Sequence, residues 1–330
     1  MKQITFEQIA AIRLQSHQLS DSTLQTPKEV VAWMGAMQAQ DFGMAKLAVG
    51  VRLPGSTDRI IQEAFDCGDI LRTHVMRPTW HFVTPEDIRG MLLLSAERIK
   101  SSSRSRDRDL DITEALYDKT NHVFQRALEG NKHLTRKELM AALESANIMV
   151  DSSRMYHFTM RAELDAIVCS GAMQGKEQTY ALLDERAPVS SVPSREEALA
   201  KLTHSYFRSH SPATLSDFAW WSGLSQTEAK KGMEAIKSDL QAAEIDGRTY
   251  WLSKRYEDGA TPKNSELLLP AYDEYIIAYT DRTPVLPAPH LSKAVSSNGV
   301  FRPVIVVNGQ VVGLWKKSPN KKQAVLMDYF

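Results

Sequence analysis

One order of signals recurs three times along the 330-residue chain: a helix, two shorter capped helices, then strand, turn and strand. No other feature narrows the fold as much. Thr26-Pro27-Lys28-Glu29 sets a capping Thr, a Pro at the first helical position and an acid at the third, and Thr84-Pro85-Glu86-Asp87 repeats this with an Asp. Thr135-Arg136-Lys137-Glu138, Thr214-Leu215-Ser216-Asp217 and Ser225-Gln226-Thr227-Glu228 have the same spacing without the Pro. In each, a side-chain oxygen can accept from first-turn amides that have no carbonyl partner of their own.

The segments after these caps predict the rest. In the first copy EVVAWMGAMQAQ and DRIIQEAFDCG read as helices, and residues 70–75 lead through a turn to 79–83. In the second, ELMAALESANI and MYHFTMRAELDAIVCSG read as helices, followed by a strand at 172–175, a turn at Lys176-Glu177 and a strand at 179–183. In the third, DFAWWSGL and SQTEAKKGMEAIKSDL precede strands at 240–245 and 249–252 around Asp246-Gly247. Asp-Gly between two such runs is a strong hairpin signal. Longer helices at 6–19, 112–128 and 195–209 lead the three copies. Helix, helix-turn-helix and hairpin together make the winged-helix pattern. The expected fold is therefore α+β, with three tandem winged-helix units at 1–84, 85–190 and 191–262. The copies share order and caps with little residue identity.

From about Glu266 the pattern changes. Leu267-Leu268-Leu269-Pro270 and Tyr275-Ile276-Ile277-Ala278-Tyr279 look like strands, and a Pro-rich loop spans 283–289. Residues 301–307, Asn308-Gly309 and 310–315 read as a hairpin with an Asn-Gly turn. Residues 263–330 should form a small all-β module, a partial barrel or curved sheet. It must pack on the helical part, because so few strands bury little alone.

Composition excludes several classes. No apolar run approaches the roughly 20 residues of a membrane span. The start, MKQITFEQIAAIRLQSHQ, has Glu and Gln inside its apolar stretch and is not a signal peptide. Cys67 and Cys169 make neither a disulfide framework nor a metal spacing. A cytoplasmic protein with no membrane partner is expected. There is no Walker loop, GxGxxG, GxSxG elbow or metal-spaced His/Cys/Asp cluster, so no cofactor or metal is implied. The 40 Lys and Arg balance the 40 Asp and Glu. Zero net charge disfavours a nucleic-acid partner only if the charge is evenly spread.

It is not evenly spread. Arg72-Thr73-His74-Val75-Met76-Arg77-Pro78-Thr79-Trp80-His81 forms the first hairpin. Strand alternation puts Arg72 and His74 on one face, Arg77 at the tip, and Trp80 and His81 on opposite faces of the return strand. Such a wing suits phosphate contact and base stacking; it suits equally a solvated hairpin with Trp80 in the core. Between Arg98 and Arg108 lie five basic residues, among them Arg104, Arg106 and Arg108, interleaved with serines. This reads as a phosphate-binding loop or as a solvated one.

Two further groups can carry chemistry. Gln38 and Gln40 sit near the predicted end of a helix, in Gln38-Ala39-Gln40-Asp41. Inside a regular helix they would point about 200° apart, so they converge only if the helix ends there. Paired amides can hold a water or a base edge, although Gln is also common at solvated helix ends. Asp273 and Glu274 are adjacent carboxylates, with Arg282 further on. They suit acid–base work, or simply a strand end and turn. Trp220-Trp221 reads as core.

Taken together, the pieces resemble one family, the winged-helix DNA glycosylases that act on bulky alkylated bases and unhook interstrand crosslinks (AlkZ and YcaQ relatives). The resemblance rests on four segments occurring in the family's order across essentially the whole chain. They are Met37-Gln38-Ala39-Gln40-Asp41-Phe42, the stretch from Leu71 to His81, Leu268-Leu269-Pro270-Ala271-Tyr272-Asp273-Glu274-Tyr275, and Asn298-Gly299-Val300-Phe301-Arg302-Pro303. It implies three winged helices and a C-terminal β-barrel around a DNA-binding cleft, with Gln38 and Gln40 catalytic. One branch of the family carries Asp at the second position; Gln40 resembles the branch linked to crosslink unhooking. A DNA-contacting hairpin is also implied, expected at 292–300, with Arg302 beside it.

The implied activity is monofunctional hydrolysis of the glycosidic bond of N7-alkylated purines in double-stranded DNA, as base excision repair requires. The protein would act as a monomer, cytoplasmic and nucleoid-associated when bound. The rival reading is a non-catalytic winged-helix DNA-binding protein such as a transcription regulator. A neutral chain with local basic elements should bind DNA modestly, with a shallow salt slope.

Overall fold

The computed structural model describes residues 2–189, 193–256, 265–319 and 324–330. It is an α+β fold of two compact units, one formed by residues 1–61 and 199–330 and the other by 62–198. The boundaries fall inside the helices Asp58–Cys67 and Arg195–Ser209.

The first unit opens with the helix Phe6–Ser16, whose Thr5 and Gln8 form a reciprocal capping box. Thr26 caps Pro27–Met34 as its sequence predicts. That helix does not run on through Gln40. It stops at Gly35, whose φ of 80° suits a residue without a side chain, and a Cβ there would lie 3.2 Å from Ser205. Met37–Gln38 is extended, and a second helix, Phe42–Gly50, starts from an Asp41 cap. That helix was not anticipated.

Thr214 and Ser225 make capping boxes on Leu215–Ser222 and Gln226–Ala235. The hairpin Leu240–Ile245 with Arg248–Ser253 turns at Asp246 and Gly247, both at positive φ as an Asp-Gly turn requires. Lys2–Gln3 adds to it in parallel.

The C-terminal strands Glu266–Leu269, Val304–Val307, Gln310–Lys317 and Val325–Tyr329 pair antiparallel in chain order. Among the described residues this is an open four-stranded sheet and not a closed barrel. Its apolar face is covered instead by Ala10, Leu14 and Leu19 and by the Tyr275–Ile277 stretch, so closure is not needed to bury it. That stretch is no strand. Asp273 caps a short helix, Glu274–Ile277, by accepting from the Tyr275 amide. An apolar run buried on every side carries no period from which helix and strand could be told apart. The expected probing hairpin at 292–300 is an end of the helix Leu291–Ala294 followed by a tight turn, Ser296 to Val300, closed by a Val295–Phe301 bridge.

The second unit packs Glu114–Leu128, Arg136–Ser145 and Ser152–Leu164 around Tyr117, Phe124, Leu139, Met155 and Phe158, with Ile88–Asp109 against Ser152–Leu164. Its hairpins are Leu71–Val75 with Thr79–Val83, and Val168–Ser170 with Thr179–Leu182. The second begins earlier than its sequence suggests. Ala166, at φ 57°, ends the preceding helix, and Ala172 to Gly175 belong to the turn. Leu134–Thr135 extends this sheet.

The serine-rich basic segment is not a loop. Residues 98–108 lie within Ile88–Asp109, a continuous 22-residue helix. Its inward Leu92, Ser95, Ala96, Ile99 and Asp107 keep helical spacing, and this outweighs the weak helix preference of serine. The helix starts a turn later than Thr84 implies, since that hydroxyl donates to Asp87 rather than capping.

Candidate active site

Gln38 ends the short strand Met37–Gln38, and Gln40 follows two residues on, at a bend before the Asp41 cap. No helix runs through the pair, so the separation of about 200° that a regular helix would impose does not arise. Gln40 is exposed, whereas Gln38 is 8% exposed and its Oε1 has no hydrogen-bond partner among the described residues. Met37 and Ala39 are packed into the core on either side.

Beneath this segment is a buried polar hub in the same unit. Glu274 Oε1 accepts the Gln38 backbone N–H at 2.7 Å, and its Oε2 accepts Trp221 Nε1–H at 2.9 Å. His210 Nε2 stands 3.7 Å from the same carboxylate. Asp273 is held by Arg52 through two parallel contacts of 2.8 and 2.7 Å, with both side chains fully buried. Tyr272, immediately before, has a φ of 61°, a conformation bulky residues seldom adopt. His17 Nε2 meets the Tyr279 hydroxyl at 2.7 Å, and that hydroxyl donates to the His210 carbonyl. Arg13 lies over the Tyr279 ring at 3.5 Å and donates through Nε to the Pro212 carbonyl.

Burial, reinforced by His210, Arg52 and Arg13, holds His17 well below the ordinary imidazole range. Burial lowers His210 as well. Both rings are neutral near pH 7. Burial raises the hydroxyls of Tyr275 and Tyr279, which stay protonated. The hub is thus a set of fixed donors and acceptors, and it has the character of a support for the glutamine segment.

The adjacent carboxylates follow the strand Glu266–Leu269 and a turn, Asp273 capping the short helix that Glu274 opens. Arg52, His17, His210 and Trp221 were missed by sequence reasoning. Trp221 is fully buried, and its indole N–H signals a buried acceptor. Trp220 is 43% exposed rather than core and donates to the Ile277 carbonyl.

In the second unit the structure gathers the wing residues. The Arg72 guanidinium lies 4.3 Å over the Trp80 ring and donates to Gln178, and His74 packs on Trp80 at 4.5 Å. Glu163 accepts from the His74 backbone and bonds its Nδ1, and takes the Trp80 indole N–H at 3.4 Å. Arg72, His74 and His81 are buried; Arg77 and Trp80 are half-buried. Met76, at φ 62°, turns the tip, and its carbonyl accepts from Arg98. On the long helix Arg104 and Arg108 share an exposed face one turn apart, while Arg106 pairs with Asp109 at 3.6 Å. Asp107 turns inward to Tyr117 and His157. In the first unit Arg282 holds the Ile276 carbonyl and lies over Phe301, and Arg302 is exposed. Among the described residues no group of His, Cys, Asp or Glu could hold a metal ion, and no helix is long and apolar enough to cross a membrane.

The family model for AlkZ-like DNA glycosylases matches residues 31–327. The chain belongs to the AlkZ-like DNA glycosylase family. A relative from Streptomyces sahachiroi, an interstrand DNA cross-link repair glycosylase, is 25% identical over 326 residues, covering 94% of this chain and 88% of that protein. The solved structure of the Streptomyces sahachiroi DNA glycosylase AlkZ superposes with a TM-score of 0.85 at 23% identity, over 100% of this chain and 91% of that one. An AlkZ-like fold thus carries both the glutamine segment, within the matched range, and the hub beneath it.

Proposed function

We propose that the protein is a monofunctional DNA glycosylase for N7-alkylated purines, crosslinked ones included, with Gln38 and Gln40 positioning the attacking water. The observation that carries this reading is the buried Oε1 of Gln38, without a hydrogen-bond partner among the described residues, two positions before the exposed Gln40. An N7-alkylpurine in DNA is already cationic and leaves readily. When the C1′–N9 bond breaks, its electron pair goes to N9 and the base departs neutral. The sugar becomes oxocarbenium-like, water oxygen bonds to C1′, and the surplus proton passes to solvent. Two neutral amides suffice to orient that water, and their carbonyl dipoles favour the growing positive charge. No lysine adjoins the motif to form a Schiff base, so strand cleavage is not part of the reaction. We read residues 1–84, 85–190 and 191–262 as three winged helices that grip double-stranded DNA, and 263–330 as a β module. Trp80, Arg77, Arg104 and Arg108 are the groups we assign to DNA contact, together with Arg302.

The test is incubation with duplex DNA containing 7-methylguanine. Free 7-methylguanine and intact strands bearing abasic sites are expected. Binding without base release would favour the rival reading, a winged-helix regulator that reads sequence.

A further inference from the structure

We propose that Glu274 is the positioning residue for Gln38: its carboxylate clamps the Gln38 main chain, and through it the side chain that meets the water. The inference rests on the function proposed above, and it adds a residue outside the glutamine motif.

The geometry is specific. One carboxylate oxygen takes the Gln38 N–H and the other takes the Trp221 indole N–H. A bond from N–H to an ionised acceptor is about twice as strong as a neutral one. The strand Met37–Gln38 is only two residues long, between Gly35 and the Asp41 cap. Glu274 itself cannot wander. It is 1% exposed, at the first position of a helix capped by Asp273, and Asp273 is locked by Arg52. The order of support is thus Arg52 to Asp273, Asp273 to the helix start, and Glu274 to Gln38. A buried carboxylate facing a catalytic backbone amide is expensive unless donors surround it.

The experiment compares Glu274→Gln with the parent enzyme and with Gln38→Ala, under single turnover on 7-methylguanine duplex. The amide of Glu274→Gln can offer an acceptor to Gln38 or to Trp221, but not to both. The expected result is a fall of about 30–300-fold in the maximal rate, with DNA Kd within twofold. In the Gln38→Ala background, Glu274→Gln should cost almost nothing more, because the two act as one unit. A purely structural role predicts equal losses in both backgrounds and would overturn the proposal. Full activity of Glu274→Gln with an inactive Gln38→Ala also overturns it, while leaving the glutamine mechanism standing. Full activity of Gln38→Ala removes that mechanism instead.

A second readout needs no turnover. The Gln38 amide proton should resonate downfield in 15N-glutamine-labelled protein and move upfield in Glu274→Gln. An unmoved resonance contradicts the clamp. Should Glu274→Gln fail to fold, Trp221→Phe removes the indole donor along with part of the ring and is expected to shift the same resonance and lower the rate several-fold; no change in either counts against the proposal.

Discussion

At the residue scale the account turns on buried polar groups that must be paired. Arg52 and Asp273 are both fully buried, so their value lies in what removal of one leaves behind. Arg52→Met is expected to destabilise by about 3–5 kcal/mol, since Asp273 would keep a buried charge without its partner. Arg52→Met/Asp273→Asn should recover much of the loss in a chemical-denaturation midpoint. Equal midpoints for the single variant and the parent would refute the pairing argument. This pair also shows where the sequence stops being readable. Gln38 and Gln40 stand out as a motif, but Arg52 is one arginine among many. Its role comes from a contact with a residue 221 positions away, which no local spacing encodes.

At the scale of elements, legibility follows the physics of each signal. Caps are local, so Thr26, Thr135, Thr214 and Ser225 were found where they act. The Asp246-Gly247 turn is equally local. Elements decided by tertiary packing were not. Gly35 ends its helix at a positive φ, in a place where a Cβ would lie 3.2 Å from Ser205, and the Glu274–Ile277 helix is buried all round. The basic serine-rich stretch looked like a loop until its inward residues were seen to keep a 22-residue helix in place. Packing also makes Gly232 a strict position. In the helix Gln226–Ala235 a Cβ there would stand 2.2 Å from Thr203 Oγ1 and 3.2 Å from Leu199. Alanine's better helix propensity, about 1 kcal/mol, is outweighed by overpacking of about 1–3 kcal/mol. Gly232→Ala should lower the thermal midpoint, and Gly232→Ala/Thr203→Ala should restore it. A midpoint that rises in the single variant would show that the helices separate freely.

At the scale of the whole molecule, the zero net charge conceals an uneven interior. His17 and His210 are buried neutral, with pKa values depressed below 6.5. Above that value both folded and unfolded chains are neutral at these rings. As pH falls below it the unfolded chain takes up protons that the folded one refuses, so stability is lost toward acid. The carboxyls of Asp281 and Glu114 are also lowered, and they add loss of the same sign further down in pH. Calorimetry at pH 7.5 and 5.5 should show a lower midpoint at 5.5, with net proton uptake on unfolding; a pH-independent midpoint would contradict neutral burial. The central claim is chemical, however, and one measurement reaches it directly. Single-turnover release of 7-methylguanine from duplex DNA should fall by at least about 100-fold (roughly 2.7 kcal/mol of transition-state stabilisation) in Gln38→Ala/Gln40→Ala, with DNA affinity and folding unchanged. Release at the parent rate from that double variant would remove the glutamine pair from the mechanism.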